Sequence, residues 1–135
     1  MRAEAVRRAL ADALPSGSVV VDPDVIEGYR RDRAATAAAG MPVAVVRAGS
    51  TGDVQAALRV AAAHRVPVVT RGAGTGLSGG ASAIDGGIVL TTERMRAVTI
   101  DPQAMTATVQ PGLLNAELKA AARGHGLWYP PDPSS

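Results

Sequence analysis

The sequence predicts an α/β (α+β) fold, on three observations. Two β-branched apolar runs, "PVAVVRA" from Pro42 and "PVVTRG" from Pro67, flank an alanine-rich stretch with helical spacing. A third run, "GGIVLTT", follows a loop in which seven of the eighteen residues from Thr70 to Gly87 are glycine. The chain is 47% apolar yet has no Phe, one Trp and two Tyr in 135 residues. Its core must therefore be built from Val, Leu, Ile and Ala, and alanine lets neighbouring elements approach closely.

Residues 2–14 read as an amphipathic helix, with Val6, Leu10 and Leu14 at spacing four, stopped by Pro15, Ser16 and Gly17. "SVVVDPDVIEGY" follows as a short apolar run and a further turn of helix, and Arg30–Met41 has no period and reads as a surface loop. After the strand at 42–48, Ser50 stands three residues ahead of Asp53, the signature of a capped helix start. Val54, Ala57, Leu58 and Ala61 form that helix's apolar face, and Pro67 prevents its continuation beyond His64. Strand, helix and strand make a β–α–β unit with parallel strands. "AVTIDPQAMTATVQPG" reads as a hairpin turning at Asp101–Pro102–Gln103. "LLNAELKAAARGHG" reads as a helix with a left-handed stop at Gly124 or Gly126, and the prolines at 130, 131 and 133 keep the last segment extended.

Composition excludes several function classes. The net charge is only +2, and the one tight basic group, Arg30, Arg31 and Arg33, lacks interleaved aromatics, so no nucleic-acid partner is expected. The absence of cysteine rules out disulfides, thiolate metal sites and a cysteinyl cofactor link. His64 and His125 give no metal-ligand spacing, so no metal is expected. His64, at a helix end, suits the helix dipole, and His125, between two glycines, suits an exposed cap. The first fifteen residues carry Glu4 and Asp12 and no continuous apolar core, which argues against an export or transit peptide. No apolar stretch is long enough for a transmembrane segment, and a cytoplasmic location is expected.

The glycines need an explanation, because holding each in a fixed loop costs roughly 0.5–1 kcal/mol relative to alanine. A curl of bare backbone amides can cradle an anion where side chains would block the approach. A nucleotide P-loop would end in Gly-Lys-Ser/Thr, but the nearest lysine is Lys119. Gly74–Gly79 matches G-x-G-x-x-G, yet "ASAIDGGIVL" shows no helical face after it, and Glu93 is in strand context rather than at a ribose-binding position. That argues against a nicotinamide-dependent Rossmann enzyme. The remaining form is a loop that joins two strands directly and wraps a diphosphate with main-chain amides. Thr75 and Ser78 would add hydroxyls, and Leu77 would face down as an anchor. The competing reading is a flexible glycine-rich hairpin end.

"PVVTRGAGTGLSGGA", then "VQPG", then "YPPDPSS" resemble the FAD-linked oxidases with a PCMH-type flavin domain, nearest to the FAD-binding subunit of glycolate oxidase and to D-lactate and D-2-hydroxyglutarate dehydrogenases. The likeness extends upstream through "YRRDRA" and "PVAVVRAGSTGDV" and covers about Val20 to Ser135. It implies noncovalent FAD, since no histidine lies in Gly72–Ser78, where relatives with a covalent link place one. It implies that Arg71, Gly72, Ala73, Gly74, Thr75, Gly76, Leu77, Ser78, Gly79 and Gly80 bind the pyrophosphate. Pro111, Gly112, Asp132, Pro133, Ser134 and Ser135 would approach the rest of the cofactor. Residues 1–40 would be a helix and lead-in, and 41–135 the N-terminal part of the flavin domain, with a complete β–α–β subdomain and a truncated second one.

The activity implied is oxidation of a D-2-hydroxy acid by hydride transfer to FAD, with a separate electron acceptor and companion oxidase subunits. Catalytic residues are expected beyond Ser135, so the 135 residues alone are expected to be inactive. The alternative is a noncatalytic nucleotide-binding or assembly module. Arg71 would steer a diphosphate or pair with a surface acid. Trp128 and Tyr129 would anchor the core or stack near a flavin, and Asp132, between prolines, would serve a turn or a site.

Overall fold

The computed structural model describes residues 1–133. The chain forms two compact units, Met1–Arg94 and the stretch from Met95 onward.

The first unit contains α1 (Arg2–Ala13), β1 (Val19–Val20), α2 (Pro23–Glu27), β2 (Ala44–Arg47), α3 (Thr51–His64), β3 (Val68–Arg71) and β4 (Ile88–Thr91). The strands form one sheet in the order β1-β2-β4-β3. β2 and β3 both run parallel to β4, and β1 pairs antiparallel with β2. The strands of the expected β–α–β unit are thus parallel but not neighbours, because β4 lies between them. Burial explains the order: all four residues of β4 are buried, against three of β2 and one of β3. The strand that is apolar on both faces takes the position covered on both faces.

On one face Val45 and Val89 pack with Ile26 of α2 and Ala83, and Val20 and Tyr29 close the cluster. α2 starts on Asp22, whose carboxylate accepts the Asp24 amide at 2.9 Å, with Pro23 at the first helical position. α1 packs on α3 and β1, and α3 packs on β4. Val6 and Leu10 are fully buried and Leu14 nearly so, as their spacing predicts. Burying each such side chain contributes about 1.5–3 kcal/mol.

α3 begins where the sequence places it. The Ser50 hydroxyl accepts the Asp53 amide at 3.1 Å, and the Asp53 carboxylate accepts the Gly49 amide at 2.9 Å. The buried face is narrower than predicted: Ala57 and Ala61 are buried, but Leu58 is 45% exposed. Alanines suffice because α1 approaches closely there. At the other end Arg65 adopts φ 53°, and the Arg2 guanidinium donates to the carbonyls of His64 and Arg65 at 2.9 and 2.7 Å.

The second unit is a hairpin, β5 (Val98–Asp101) and β6 (Thr106–Val109), followed by α4 (Asn115–Arg123). The Asp101 carboxylate accepts the Gln103 and Ala104 amides, and Met105 takes φ 54° to close the turn. α4 buries Leu118 and Ala122. The left-handed stop falls at Gly126, φ 71°, while Gly124 remains right-handed at φ −59°. Trp128 is not the core anchor expected of it: it is 80% exposed. The buried positions are filled by aliphatic side chains, so scarcity of aromatics did not force this one inward.

Candidate functional site

The carboxyl ends of the three parallel strands lie level. Arg47 of β2 and Arg71 of β3 are both in register with Thr91 of β4. In open α/β sheets this edge is where ligands bind. From Arg71 the chain runs through bends and turns to Ile88 without a helix, so the glycine loop joins two adjacent parallel strands directly. The Rossmann arrangement, which needs a helix to open inside the loop, is absent.

The loop has two sides with different demands. On the protein side, Gly74 has φ 73°, and a Cβ there would lie 2.1 Å from the Arg71 guanidinium. Gly79 has φ 82°, and its Cβ would meet that of Ala37 at 2.6 Å. Both glycines are required by the chain's own backbone and packing. Gly72 and Gly80 differ: neither has a left-handed φ, and a Cβ on either would touch nothing within 4 Å. Among the described residues no atom demands a glycine there. Among the described residues, the amides from Gly72 through Ser78 donate to no main-chain carbonyl. Bare positions facing open space, beside unpaired amides, are the geometry that an anion cradle needs.

Leu77, the expected apolar anchor, is 76% exposed. Polar contacts hold Gly72–Ser82 instead, and beyond them Ala83 is buried in the core. Among the described residues Arg71 pairs with no surface acid. Its Nη1 donates to the carbonyls of Arg31 at 2.9 Å and Tyr29 at 3.3 Å, and its guanidinium carbon stands 5.9 Å from the centre of the Tyr29 ring. The Arg33 amide donates to the Gly76 carbonyl at 2.9 Å. Asp32 lies beneath, accepting the Ala34 amide at 2.8 Å and, at 3.4 Å each, the Ala81 amide and the Ser82 hydroxyl. The amide of Ala34 and those of the loop hold the Asp32 carboxyl below its usual range. Thr75 is half-buried and Ser78 exposed, so the Ser78 side chain reaches solvent.

At the same sheet edge Glu93 Oε1 accepts from the Tyr29 hydroxyl at 2.6 Å and from Arg47 Nε at 2.7 Å. Burial pushes the Glu93 carboxyl up, but the hydrogen bonds from Tyr29 and Arg47 outweigh it and leave the group below its ordinary value. Burial, then the bond to Glu93, raises the Tyr29 hydroxyl. The group is a braced ion pair at the end of β2 and β4. Sequence reasoning missed Tyr29, Asp32, Arg47 and Glu93. The signal present was polar residues placed directly after apolar strand runs, as in "VAVVR" and "IVLTTE".

In the second unit, the Gly112 amide donates to the Met95 carbonyl at 2.8 Å. Asp132 pairs with Lys119 at 2.6 Å, which holds its carboxyl below the usual range. Pro111 and Pro133 are exposed, and Ser134 and Ser135 lie outside the described residues.

The sequence matches the family described as FAD binding domain over residues 42–135. The chain belongs to this family. Its FAD binding domain is similar to the glycolate oxidase subunit GlcD of Escherichia coli (strain K12), 40% identical over 131 residues, covering 96% of this chain and 26% of that protein. It is also similar to the D-2-hydroxyglutarate dehydrogenase of Xanthomonas citri pv. viticola, 38% identical over 125 residues, 92% of this chain and 26% of that one. Crystalline p-cresol methylhydroxylase shares the fold, with a TM-score of 0.79 at 23% identity over 93% of this chain and 25% of that chain. The fold is thus that of a PCMH-type domain, and the chain spans about a quarter of the length of the relatives it matches. The cofactor of the family is FAD. The loop fits that group: its unpaired amides and the side-chain-free positions at Gly72 and Gly80 suit a diphosphate. Among the described residues no helix is long and apolar enough to cross a membrane.

Proposed function

We propose that this chain is the diphosphate-binding portion of a flavin-dependent oxidoreductase that oxidises a D-2-hydroxy acid of the glycolate or D-lactate type. The observation that carries the cofactor half of this reading is the pair Gly72 and Gly80, glycines that no contact or dihedral among the described residues requires. An alanine at either would intrude only on what occupies the open side. The substrate half is supported by the relatives, a glycolate oxidase subunit and a D-2-hydroxyglutarate dehydrogenase.

FAD, when bound, supplies a two-electron acceptor for the hydride leaving the α-carbon of the hydroxy acid. This chain's part is binding and orientation. The amides of Gly72–Ser78 hold the diphosphate, with Arg71, Gly79 and Gly80 completing the loop. Thr75 adds a hydroxyl near the backbone. Noncovalent attachment belongs to the same reading, supported by the lack of a histidine in Gly72–Ser78. The further contacts assigned to Pro111, Gly112 and the residues from Asp132 to Ser135 rest on the family likeness. Companion oxidase subunits, suggested by the word "subunit" in the name of the E. coli relative, an electron acceptor and a cytoplasmic location belong to the same reading.

The test is a titration of the apoprotein with FAD, followed by flavin fluorescence, and then addition of glycolate, D-lactate or D-2-hydroxyglutarate under anaerobic conditions. Saturable binding, release of all flavin on denaturation and bleaching of the visible absorbance by one of these acids are expected. A folded full-length protein that takes up no flavin overturns the reading.

A further inference from the structure

A loop with so many glycines has no shape of its own, because glycine loses more conformational freedom on ordering than any other residue. Something outside the loop must hold it. Leu77, the one bulky apolar residue of Gly72–Ser82, is 76% exposed and cannot. Beyond Ser82 the chain is fastened by Ala83, which packs in the core and accepts the Gly40 amide at 2.7 Å. Among the described residues, the hydrogen bonds that reach Gly72–Ser82 from outside come from one segment, Tyr29–Ala37, which belongs to no strand and which the sequence presents as an arginine-rich surface stretch.

Two links from this segment are single main-chain bonds: Arg33 to Gly76, and Ala83 to the Arg30 carbonyl at 2.8 Å. Arg71 ties the start of the loop to Arg31 and Tyr29. Asp32 alone reaches the middle and the end together. Its Oδ2 lies 3.3 Å from where a Gly76 Cβ would be and accepts the Ala81 amide, and its Oδ1 accepts the Ser82 hydroxyl. Its other bond, from the Ala34 amide, locks the carboxylate in place within its own turn. That bond orients the side chain independently of the loop. Asp32 engages none of the amides from Gly72 to Ser78, which donate to no main-chain carbonyl among the described residues.

We propose that Asp32 is the positioning residue of the cofactor loop, its carboxylate fixing Gly76–Ser82 from beneath so that the amides of Gly72–Ser78 stay turned outward to a diphosphate. The inference rests on the reading of that loop as the FAD diphosphate site. Asp32 itself touches no cofactor. It acts through the loop, and its effect is on binding rather than on the reacting atoms.

The test compares Asp32→Ala and Asp32→Asn with the unaltered protein, in full length, by two measurements. The first is hydrogen exchange at the amides of Arg33, Ala81, Ser82 and Ala83. The second is the FAD dissociation constant from flavin fluorescence. In Asp32→Ala those amides should exchange faster, while peptides from α3 and from the β5–β6 hairpin keep their rates. The dissociation constant should rise roughly tenfold or more. Asp32→Asn, which keeps one acceptor oxygen in place of two, should fall between. If Asp32→Ala does not fold, Asp32→Asn decides. Unchanged exchange at these amides in the folded variants overturns the proposal, and if the unaltered protein still binds FAD the cofactor reading survives it. Faster exchange in a protein that never binds FAD keeps Asp32 as the loop's brace but removes the cofactor, and with it the proposal as stated.

Discussion

The Tyr29 hydroxyl donates to the same Glu93 oxygen that receives the Arg47 guanidinium, at 2.6 and 2.7 Å. One carboxylate thus joins three parts of the first unit at the carboxyl edge of its sheet: the stretch after α2, the end of β2 and the residues after β4. Tyr29 also packs against the core through its ring, so the polar bond and the apolar contact hold the same side chain from two ends.

Replacing Glu93 by Gln tests that junction. The ordinary carboxyl value is 4.5, and the folded protein holds Glu93 below it. The unfolded chain therefore takes up the proton first as pH falls. The stabilisation is complete above about pH 4.5, shrinks as pH drops further, and is gone once Glu93 is protonated in the folded state too. Both side chains of the ion pair are over a third exposed, so solvent screening limits the cost of Glu93→Gln at neutral pH to about 0.5–1 kcal/mol. Urea melts of both proteins at pH 7 and at successively lower pH should show the two curves converging in acid. A gap that widens in acid would contradict the assignment.

The two sides of the glycine loop should separate in mutants. Gly79→Ala puts a Cβ against Ala37 at φ 82° and should lower the melting temperature, since a left-handed alanine costs about 1–2 kcal/mol before the clash is counted. Gly72→Ala meets no protein atom and should leave the melting temperature of the apoprotein unchanged, while weakening FAD roughly tenfold. Thermal melts without flavin, set beside flavin titrations, read the two effects apart. Full FAD affinity in Gly72→Ala would remove the loop's open side from the cofactor site.

Leu77→Ala should change the stability of the apoprotein by no more than about 0.5 kcal/mol, as expected of a side chain that buries little. Chemical denaturation measures this directly. A loss of 2 kcal/mol or more, the range for buried leucines, would show that Leu77 packs inward after all.

Ser50→Ala removes the acceptor for the Asp53 amide at the start of the fourteen-residue α3 and should cost about 1 kcal/mol. Ser50→Asp should restore most of it, because a carboxylate can accept the same amide and favours a helix N-terminus. Circular-dichroism melts of the two variants supply the comparison.

Local rules made much of this protein legible in its sequence. The stripe Val6, Leu10 and Leu14, the cap at Ser50, the turn at Asp101 and the absence of a helix after Gly79 each depend on residues within a few positions of one another. Spacing and side-chain chemistry decide such features. The likeness of "RGAGTGLSGG" to a flavin loop belongs to the same class, because a backbone cradle needs consecutive bare residues.

What holds the loop was not legible, because its partners are distant in the chain. Asp32 meets Ala81 and Ser82, Arg71 meets Arg31, and Glu93 meets Arg47 and Tyr29, all across separations of forty residues or more. No periodicity marks such pairs. The place of β4 between β2 and β3, the exposure of Leu77 and Trp128, and the sufficiency of Ala57 and Ala61 on α3 were likewise decided by packing. The sequence by itself determined which segments become strands, helices and a bare loop; only the tertiary structure decided which side of that loop is occupied by protein and which is left open, since that depends on what the folded chain brings beneath it.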